Sequence, residues 1–151
     1  MDDAVKPRGC TNLKLRQLMR RVAQHYDVEM ARVGLKTTQY QLLSYVVQLG
    51  PVRPGDLAAA MKMSASTLTR NLRPLIDAGW IELGPGADAR SRLVTATEAG
   101  REKRREAQRR WRVAQEAINQ TLGEQRVVAL HALVDECMDL LSPPQEASDE
   151  E

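Results

Sequence analysis

An amphipathic helix followed at once by two short β-type runs is the feature that most limits the folds open to this chain. In "STLTRNLRPLIDAG", apolar side chains recur at helical spacing, at Leu68, Leu72, Leu75 and Ile76. Arg70 and Arg73 lie on the opposite side of that helix, which Ser64 is placed to cap. The runs "WIELG" and "RLVTA" then flank the turn-rich "PGADARS" and are typical of a β-hairpin.

Three helices are expected before this segment. Apolar positions form one stripe from Thr11 to Val33, which Gly34 ends. "TTQYQLLSYVVQLG" is predicted as a second helix, with Thr38 and Gln41 as its capping box. "RPGDLAAAM" is a short third helix, which begins at a proline.

Two long helices are expected after the hairpin. Thr97 is placed to cap the first, which is highly charged and extends to about Thr121. The second follows Gly123 and carries an apolar stripe at Val127, Leu130, His131, Val134, Cys137, Met138 and Leu141. Short helices, a helix with an arginine face and a two-stranded wing predict an α+β, mostly helical winged helix-turn-helix.

The first and last helices both have long apolar stripes that a small winged helix cannot cover. A second copy of the chain can cover them, so we expect a homodimer. The predicted domains are dimerisation helices at 11–34 and 101–141 and a winged helix-turn-helix DNA-binding domain at 36–100, with flexible ends at 1–10 and 142–151.

Composition excludes several classes of protein. With two cysteines among 151 residues, the chain is not a secreted disulfide framework. No apolar run reaches the roughly 20 residues of a membrane helix, and the N-terminus has no signal-peptide core. We expect a cytoplasmic protein without a membrane partner.

Four motifs resemble the MarR family of dimeric winged-helix transcription regulators: "GLKTTQYQLL", "GDLAAAMKMSASTLTRNLRPL", "AGWIE" and "DARSRLVTATEAG". The resemblance covers roughly residues 11–141. The chain departs from the family pattern at Ala96, where a larger aliphatic residue is usual, and we interpret this as a change in packing. The resemblance implies a DNA-binding regulator, commonly a repressor released by a small phenolic ligand or by oxidation.

Candidate DNA-binding residues lie on the arginine-bearing helix and on the hairpin. Short hydroxyls can meet phosphates and base edges, and arginine can bind guanine through two hydrogen bonds. The family resemblance places Arg90 in the minor groove of a pseudo-palindromic operator, with Asp88 orienting the wing. The predicted set is Ser64, Ser66, Thr67, Thr69, Arg70, Arg73, Asp88, Arg90 and Arg92. The alternative is a solvated helix face and a polar turn.

An effector pocket is expected between the dimerisation helices and the winged domain. The family resemblance implies it, and clefts at such junctions are common binding sites. Candidate residues for a small aromatic ligand are His25, Tyr26, Met30, Tyr40 and Tyr45, with Arg73 beside them. Packing between helices is the alternative for each of them.

Cys10 is a candidate redox residue. Thiols just before a helix are often reactive, and the peroxide-sensing branch of the family has a reactive cysteine near this point. Tyr26 and Tyr40 match two tyrosines of that branch, although Cys10 lies about two residues earlier than its counterpart. Cys137 is expected in the core.

Three interpretations of function stay open at the level of sequence. The first is a repressor with a small-molecule effector, and the second is a redox regulator that uses Cys10. The third is a winged-helix module that binds protein and not DNA. Such a module does not need arginines on both the helix and the wing, so these arginines distinguish it from a DNA-binding protein. No catalytic triad, phosphate-binding loop or zinc-ligand spacing is present, so neither an enzyme nor a cofactor nor a metal is expected.

Overall fold

The structure, a computed structural model, describes residues 5–86 and 91–143. The described residues form six helices and two strands, in the order α1 (Thr11–Ala31), α2 (Thr37–Leu49), α3 (Pro54–Ala60), α4 (Ala65–Asp77), β1 (Ile81–Pro85), β2 (Arg92–Ala96), α5 (Glu98–Leu122) and α6 (Glu124–Leu141). Helices dominate, and the two strands pair as an antiparallel hairpin. The α+β, mostly helical class is therefore confirmed.

Local chemistry determines where three of the helices begin. Ser64 Oγ accepts a hydrogen bond from the backbone N–H of Thr67 at 3.2 Å. Thr97 Oγ1 accepts one from the backbone N–H of Gly100 at 3.0 Å. Pro54 occupies the first turn of α3, where a missing N–H removes no helical hydrogen bond. These starts agree with the sequence prediction.

The beginning of α2 differs from the prediction. The backbone N–H of Lys36 donates to Gln39 Oε1 at 2.9 Å, which is one half of a capping box. The predicted box at Thr38 and Gln41 is therefore wrong by two residues, because α2 has already begun at Thr37.

The turn between α1 and α2 explains this early start. The first helix ends at Ala31, two residues before the predicted Val33. Gly34 then adopts a φ of 72°, and the N–H of Leu35 donates to the Met30 carbonyl at 3.1 Å. This arrangement is a helix end of the kind that glycine favours, and it buries Leu35. Only Lys36 then separates Leu35 from the first residue of α2, Thr37.

The winged domain has its own hydrophobic core. Its buried residues all lie between Leu42 and Ala96 and come from α2, α3, α4 and both strands: Leu42, Leu43, Val46, Leu57, Ala58, Leu68, Leu72, Leu75, Ile81, Val94 and Ala96. Ala96, where the chain departs from the family pattern, is 6% exposed and belongs to this core. A second cluster contains Met30, Val33, Leu35, Tyr40 and Ala107, with Trp111 packed against it.

The hairpin is held at its base by several contacts. Ile81 pairs with Ala96 and Pro85 with Arg92, so β1 begins one residue later than predicted. Val52 adds a short bridge to β2, through hydrogen bonds of 3.1 and 2.8 Å with Val94. At the other side, Thr97 Oγ1 donates to the Gly79 carbonyl at 2.6 Å. These contacts join the hairpin to the segment before α3 and to the end of α4.

The chain divides into two compact units, Met1–Gln115 and Glu116–Glu151, and the division falls inside α5. The predicted boundary at residue 100, between the DNA-binding domain and the C-terminal dimerisation helices, is a boundary of function and stays a prediction. In the second unit, Cys137 is exposed, so its expected place in the core is wrong for the single chain. The reason is that most of the α6 stripe faces solvent there. Across the described ranges, no helix is long and apolar enough to cross a membrane.

Candidate DNA-binding surface

The two sides of α4 differ sharply in exposure. Leu68, Leu72 and Leu75 are at most 4% exposed and pack into the core of the winged domain. The opposite side presents Ser66, Thr69, Arg70 and Arg73 to solvent. The helix continues through Pro74 to Asp77. The predicted separation of leucines from arginines is therefore present in the structure.

Hydroxyl groups at the start of α4 are tied together. Ser64 Oγ donates to Thr67 Oγ1 at 2.8 Å and lies 3.3 Å from Ser66 Oγ. One turn later, Thr69 Oγ1 donates to the Ala65 carbonyl at 3.0 Å. A hydroxyl oxygen that donates one hydrogen bond keeps lone pairs for accepting others. The hydroxyl oxygens of this cluster can therefore still accept hydrogen bonds from further donors.

The two arginines of α4 have different surroundings. Arg73 Nε lies 3.2 Å from Asp77 Oδ1, with side chains that are 77% and 63% exposed. Exposed ion pairs contribute about 0–1 kcal/mol, so a stronger anion can replace Asp77 at little cost. Arg70 is exposed, and within the described part of the chain it forms no ion pair. Both guanidinium groups are thus available to an anionic partner.

Only the base of the predicted wing site can be described. Arg92 is exposed at the start of β2, opposite Pro85. The N–H of Gly86 donates to the Ser91 carbonyl at 2.8 Å, which brings the two ends of the tip together. Asp88 and Arg90 lie outside the described residues, and their predicted roles stay predictions.

A polar groove lies between the start of α2 and the side of α4. Its volume is about 250 Å³, and its lining residues are Lys36, Thr38, Gln39, Arg70, Asn71 and Pro74. Sequence reasoning found Arg70 and missed Lys36 and Asn71. Their neighbourhood depends on how α2 packs on α4, for which the sequence contains no local pattern.

The candidate effector residues lie in different environments. Met30 and Tyr40 are buried in the same cluster, whereas His25 and Tyr45 are exposed. Tyr26 is half-buried, and its hydroxyl donates to Gln115 Oε1 at 2.6 Å. Burial raises the pKa of the Tyr26 phenol above its ordinary value of 10.0.

These candidates do not form one of the two described cavities. Besides the groove at α4, a larger one of about 600 Å³ is lined along α1 by Gln17, Leu18, Arg20, Arg21 and Gln24. The predicted effector site therefore stays a prediction.

Cys10 immediately precedes α1 and is exposed. No three side chains of His, Cys, Asp or Glu within 5–86 and 91–143 come together in a way that would hold a metal ion. The structure thus adds no metal candidate to the sequence analysis.

Part of the basic run 101–112 of α5 is paired within its own helix, whereas Arg110 Nη1 lies 3.7 Å from Glu29 Oε2 of α1. Arg105 donates to Glu102 Oε2 at 2.6 Å and also lies 3.5 Å from Glu98. The hydrogen bond from Arg105, with the charge of that arginine, lowers the pKa of Glu102. Pairing between neighbouring turns of this kind is typical of a solvated helix face.

A pair of short helices whose second member exposes arginines, followed by an antiparallel hairpin, defines a winged helix-turn-helix domain. Comparison with known proteins also indicates a helix-turn-helix protein. Residues 33–91 match the sequence model of the MarR family. An uncharacterised HTH-type transcriptional regulator of Bacillus subtilis, YwoH, is 26% identical over 90 residues, which span 60% of this chain and 66% of that relative.

Solved structures agree as well. The transcriptional regulator MosR of M. tuberculosis, in complex with DNA, is 27% identical with a TM-score of 0.69, covering 85% of this chain and 98% of that one. A mutant of E. coli MarR complexed with operator DNA shares the fold at 18% identity, with a TM-score of 0.76 and coverage of 84% and 92%. Over residues 33–91 the chain matches the MarR family of transcriptional regulators, and this match confirms the resemblance that its motifs predicted.

Proposed function

We propose that this regulator binds double-stranded DNA as a homodimer and represses transcription until a small aromatic ligand releases it. The exposed face of α4 is the observation that carries this proposal. It offers two arginines and a cluster of hydroxyls on a rigid helix whose other side is buried.

This face suits the major groove of DNA. The groove is about 12 Å wide and admits one α-helix, whose side chains then reach base edges. Arg70 and Arg73 are placed to bind guanine or phosphate, and the hydroxyl oxygens of Ser66 and Thr69 can accept hydrogen bonds from the amino groups of base edges. MosR, which is 27% identical, was solved in complex with DNA, and this supports DNA binding by the present chain. Arg92 and the residues of the wing tip would contact the adjacent minor groove.

Two unpartnered helix faces support the homodimer. In α1, the side chains of Leu13, Leu15, Leu18 and Met19 are between 41% and 70% exposed. In α6, described separately, Val128, Leu133, Val134, Met138, Leu140 and Leu141 are exposed. Large apolar faces of this kind are typical of interfaces, and a second copy can bury both. A two-fold dimer also matches a pseudo-palindromic operator.

Three of the candidate residues support an effector site in the part of the chain that contains α1 and α2. We retain His25, Tyr26, Met30, Tyr40 and Tyr45 as candidates, since Tyr26 has a half-buried hydroxyl and Met30 and Tyr40 share one cluster. A redox signal at Cys10 is the alternative trigger, and the exposure of that thiol supports it.

Selection of genomic DNA tests the central proposal. The full-length protein is incubated with sheared DNA from its host, and the retained fragments are sequenced. We expect enriched inverted repeats whose half-site centres lie about 34–36 Å apart, which is one helical turn. An Arg70→Ala/Arg73→Ala double variant with an unchanged melting temperature is the control and should enrich nothing. If the wild type retains no sequence above background, the proposed function is wrong.

A further inference from the structure

Lys36 and Arg70 face the same groove although they belong to different helices. The groove defined above, between the start of α2 and the side of α4, has a polar lining on both sides. It contains two cations and no acidic residue among its lining residues. In the described part of the chain, neither Lys36 nor Arg70 forms an ion pair, in contrast to Arg73.

The nearby carboxylate is already engaged elsewhere. Asp27 Oδ1 accepts a hydrogen bond from Thr37 Oγ1 at 2.6 Å, and Asp27 does not line the groove. The positive charge of Lys36 and Arg70 is therefore left for a partner of opposite charge.

The position of the groove on α4 indicates what that partner is. Successive residues of a helix are separated by about 100°, so Asn71 lies a quarter-turn beyond Arg70, away from Ser66 and towards α2. Arg70 thus stands at the border between the proposed base-reading face and the groove. An α-helix with its side chains is about 10–12 Å across, nearly the width of the major groove. When such a helix fills that groove, its flanks face the two phosphate strands.

We propose that the groove binds a phosphate of the DNA backbone, with Lys36 as its ion-pair partner and Asn71 and Thr38 as hydrogen-bond donors. This inference rests on the proposed DNA binding and adds a contact from α2 to it. Lys36 positions the protein on the duplex without reading sequence, because phosphates are alike at every base pair. Arg70, at the border, remains the residue that reads a base.

Salt dependence of binding is the first test. The full-length wild type and Lys36→Gln are titrated with an operator duplex from the genomic selection, at 50–200 mM salt. The logarithm of the association constant falls linearly with the logarithm of the salt concentration, and one lost phosphate contact makes this slope less steep by about 0.9. The wild type should therefore lose its advantage in affinity over the variant by about threefold as salt rises across this range. Lys14→Gln, on the exposed side of α1, is the matched control and should keep the wild-type slope.

The second test replaces single phosphates of the DNA with an uncharged analogue. It distinguishes a direct contact of Lys36 from an effect of the substitution on folding. Methylphosphonate is placed at each backbone position in turn beside the half-site. At one position per half-site it should weaken the wild type and leave Lys36→Gln unaffected, because the two changes remove the same contact. Losses that add at every position overturn the proposal, and so does an unchanged salt slope in a folded variant that binds DNA.

A free anion is the other source of the same chemistry. At constant ionic strength, inorganic phosphate should compete equally weakly with DNA for the wild type and for Lys36→Gln. Strong competition for the wild type and none for Lys36→Gln, together with a wild-type salt slope in Lys36→Gln, assigns the groove to a free anion and overturns the proposal. If the wild type itself binds no DNA, the failure lies in the proposed function and not in this groove.

Discussion

The hydroxyl of Tyr26 donates a hydrogen bond of 2.6 Å to Gln115 Oε1 and thereby joins α1 to α5 across 89 positions of sequence. Both residues are partly buried. Burial raises the pKa of this phenol, so the folded protein favours its neutral form.

Removing this hydroxyl should reduce stability and change its response to alkali. Tyr26→Phe is expected to cost about 0.5–1.5 kcal/mol, as a typical hydrogen bond does. Because the folded-state pKa is raised, the contribution of the neutral phenol is full below pH 10.0 and is lost as pH rises through the raised value. Urea denaturation of wild type and Tyr26→Phe between pH 7 and pH 11 measures both effects.

Tyr45→Phe is the control, since Tyr45 is exposed on α2. It should change stability by no more than about 0.5 kcal/mol. If Tyr26→Phe is as stable as the wild type at pH 7, the hydrogen bond does not contribute to folding.

The apolar faces of α1 and α6 predict which part of the chain is needed for assembly. A fragment of residues 36–100 contains the entire core from Leu42 to Ala96 and should fold as a monomer. Full-length protein should sediment as a dimer at the same concentration, because its terminal helices bury their exposed leucines in the partner. Sedimentation equilibrium distinguishes monomer from dimer. If the fragment dimerises as tightly as the whole chain, the terminal helices do not form the dimer interface.

A ligand that binds the folded protein should raise its melting temperature by mass action. We expect aromatic carboxylates such as salicylate to do so and to release operator DNA, with both responses weakened in Met30→Ala. Thermal shift and DNA-binding titrations across phenolics, metals and oxidants provide the measurement. A complete lack of response to the phenolics would remove the effector hypothesis.

The redox alternative makes a different prediction. Mild hydroperoxide should weaken DNA binding of the wild type and leave Cys10→Ser unaffected, since a sensor cysteine is oxidised reversibly when exposed. Cys137→Ser, which removes the other exposed thiol, is the matched control and should behave like the wild type. Equal sensitivity of all three proteins excludes Cys10 as the sensor.

Arg70 and Arg90 should make different contributions to DNA binding. Arg70→Ala is expected to cost about 1–3 kcal/mol of base discrimination at one symmetric pair of positions. Arg90→Ala should weaken binding to most sites with less change in the preferred motif, and should flatten the salt slope, because a wing arginine senses groove width and potential.

Operator titrations at several salt concentrations, on a library of single-base variants, separate these effects. Melting curves of both variants verify that each one folds, as expected for Arg70, which is exposed. Two folded variants that bind operator DNA like the wild type would show that the proposed reading surface is wrong.

Much of the fold was predictable because local chemistry determines it. Ser64 and Thr97 act on backbone groups three residues away, and the leucines of α4 follow the helical repeat. The bridge between Val52 and Val94 was not predictable, since one pair of residues far apart in sequence leaves no periodic signal. The start of α2 was misplaced because a threonine is the commoner cap, whereas here Gln39 binds the N–H of Lys36.

The candidate site divides in the same way. The arginine face of α4 follows from spacing alone, because burial of the leucines forces Arg70 and Arg73 outward. The groove beside it depends on the approach of Lys36 from another helix, and the bond from Tyr26 to Gln115 depends on the packing of α1 against α5. Such neighbours are determined by tertiary packing, which a single sequence does not encode in any short window.

Gly100 lies so close to the backbone of Trp80 that a methyl group there would collide with the carbonyl oxygen. In a library of all single substitutions, selected for repression of a reporter gene, nearly every substitution at Gly100 should be depleted. The same depletion would be seen at a residue that contacts DNA. The loss would nevertheless reflect a missing protein, because α5 could no longer close against the base of the hairpin. A map of mutational tolerance for this regulator therefore separates recognition from assembly only when cellular abundance is read beside repression.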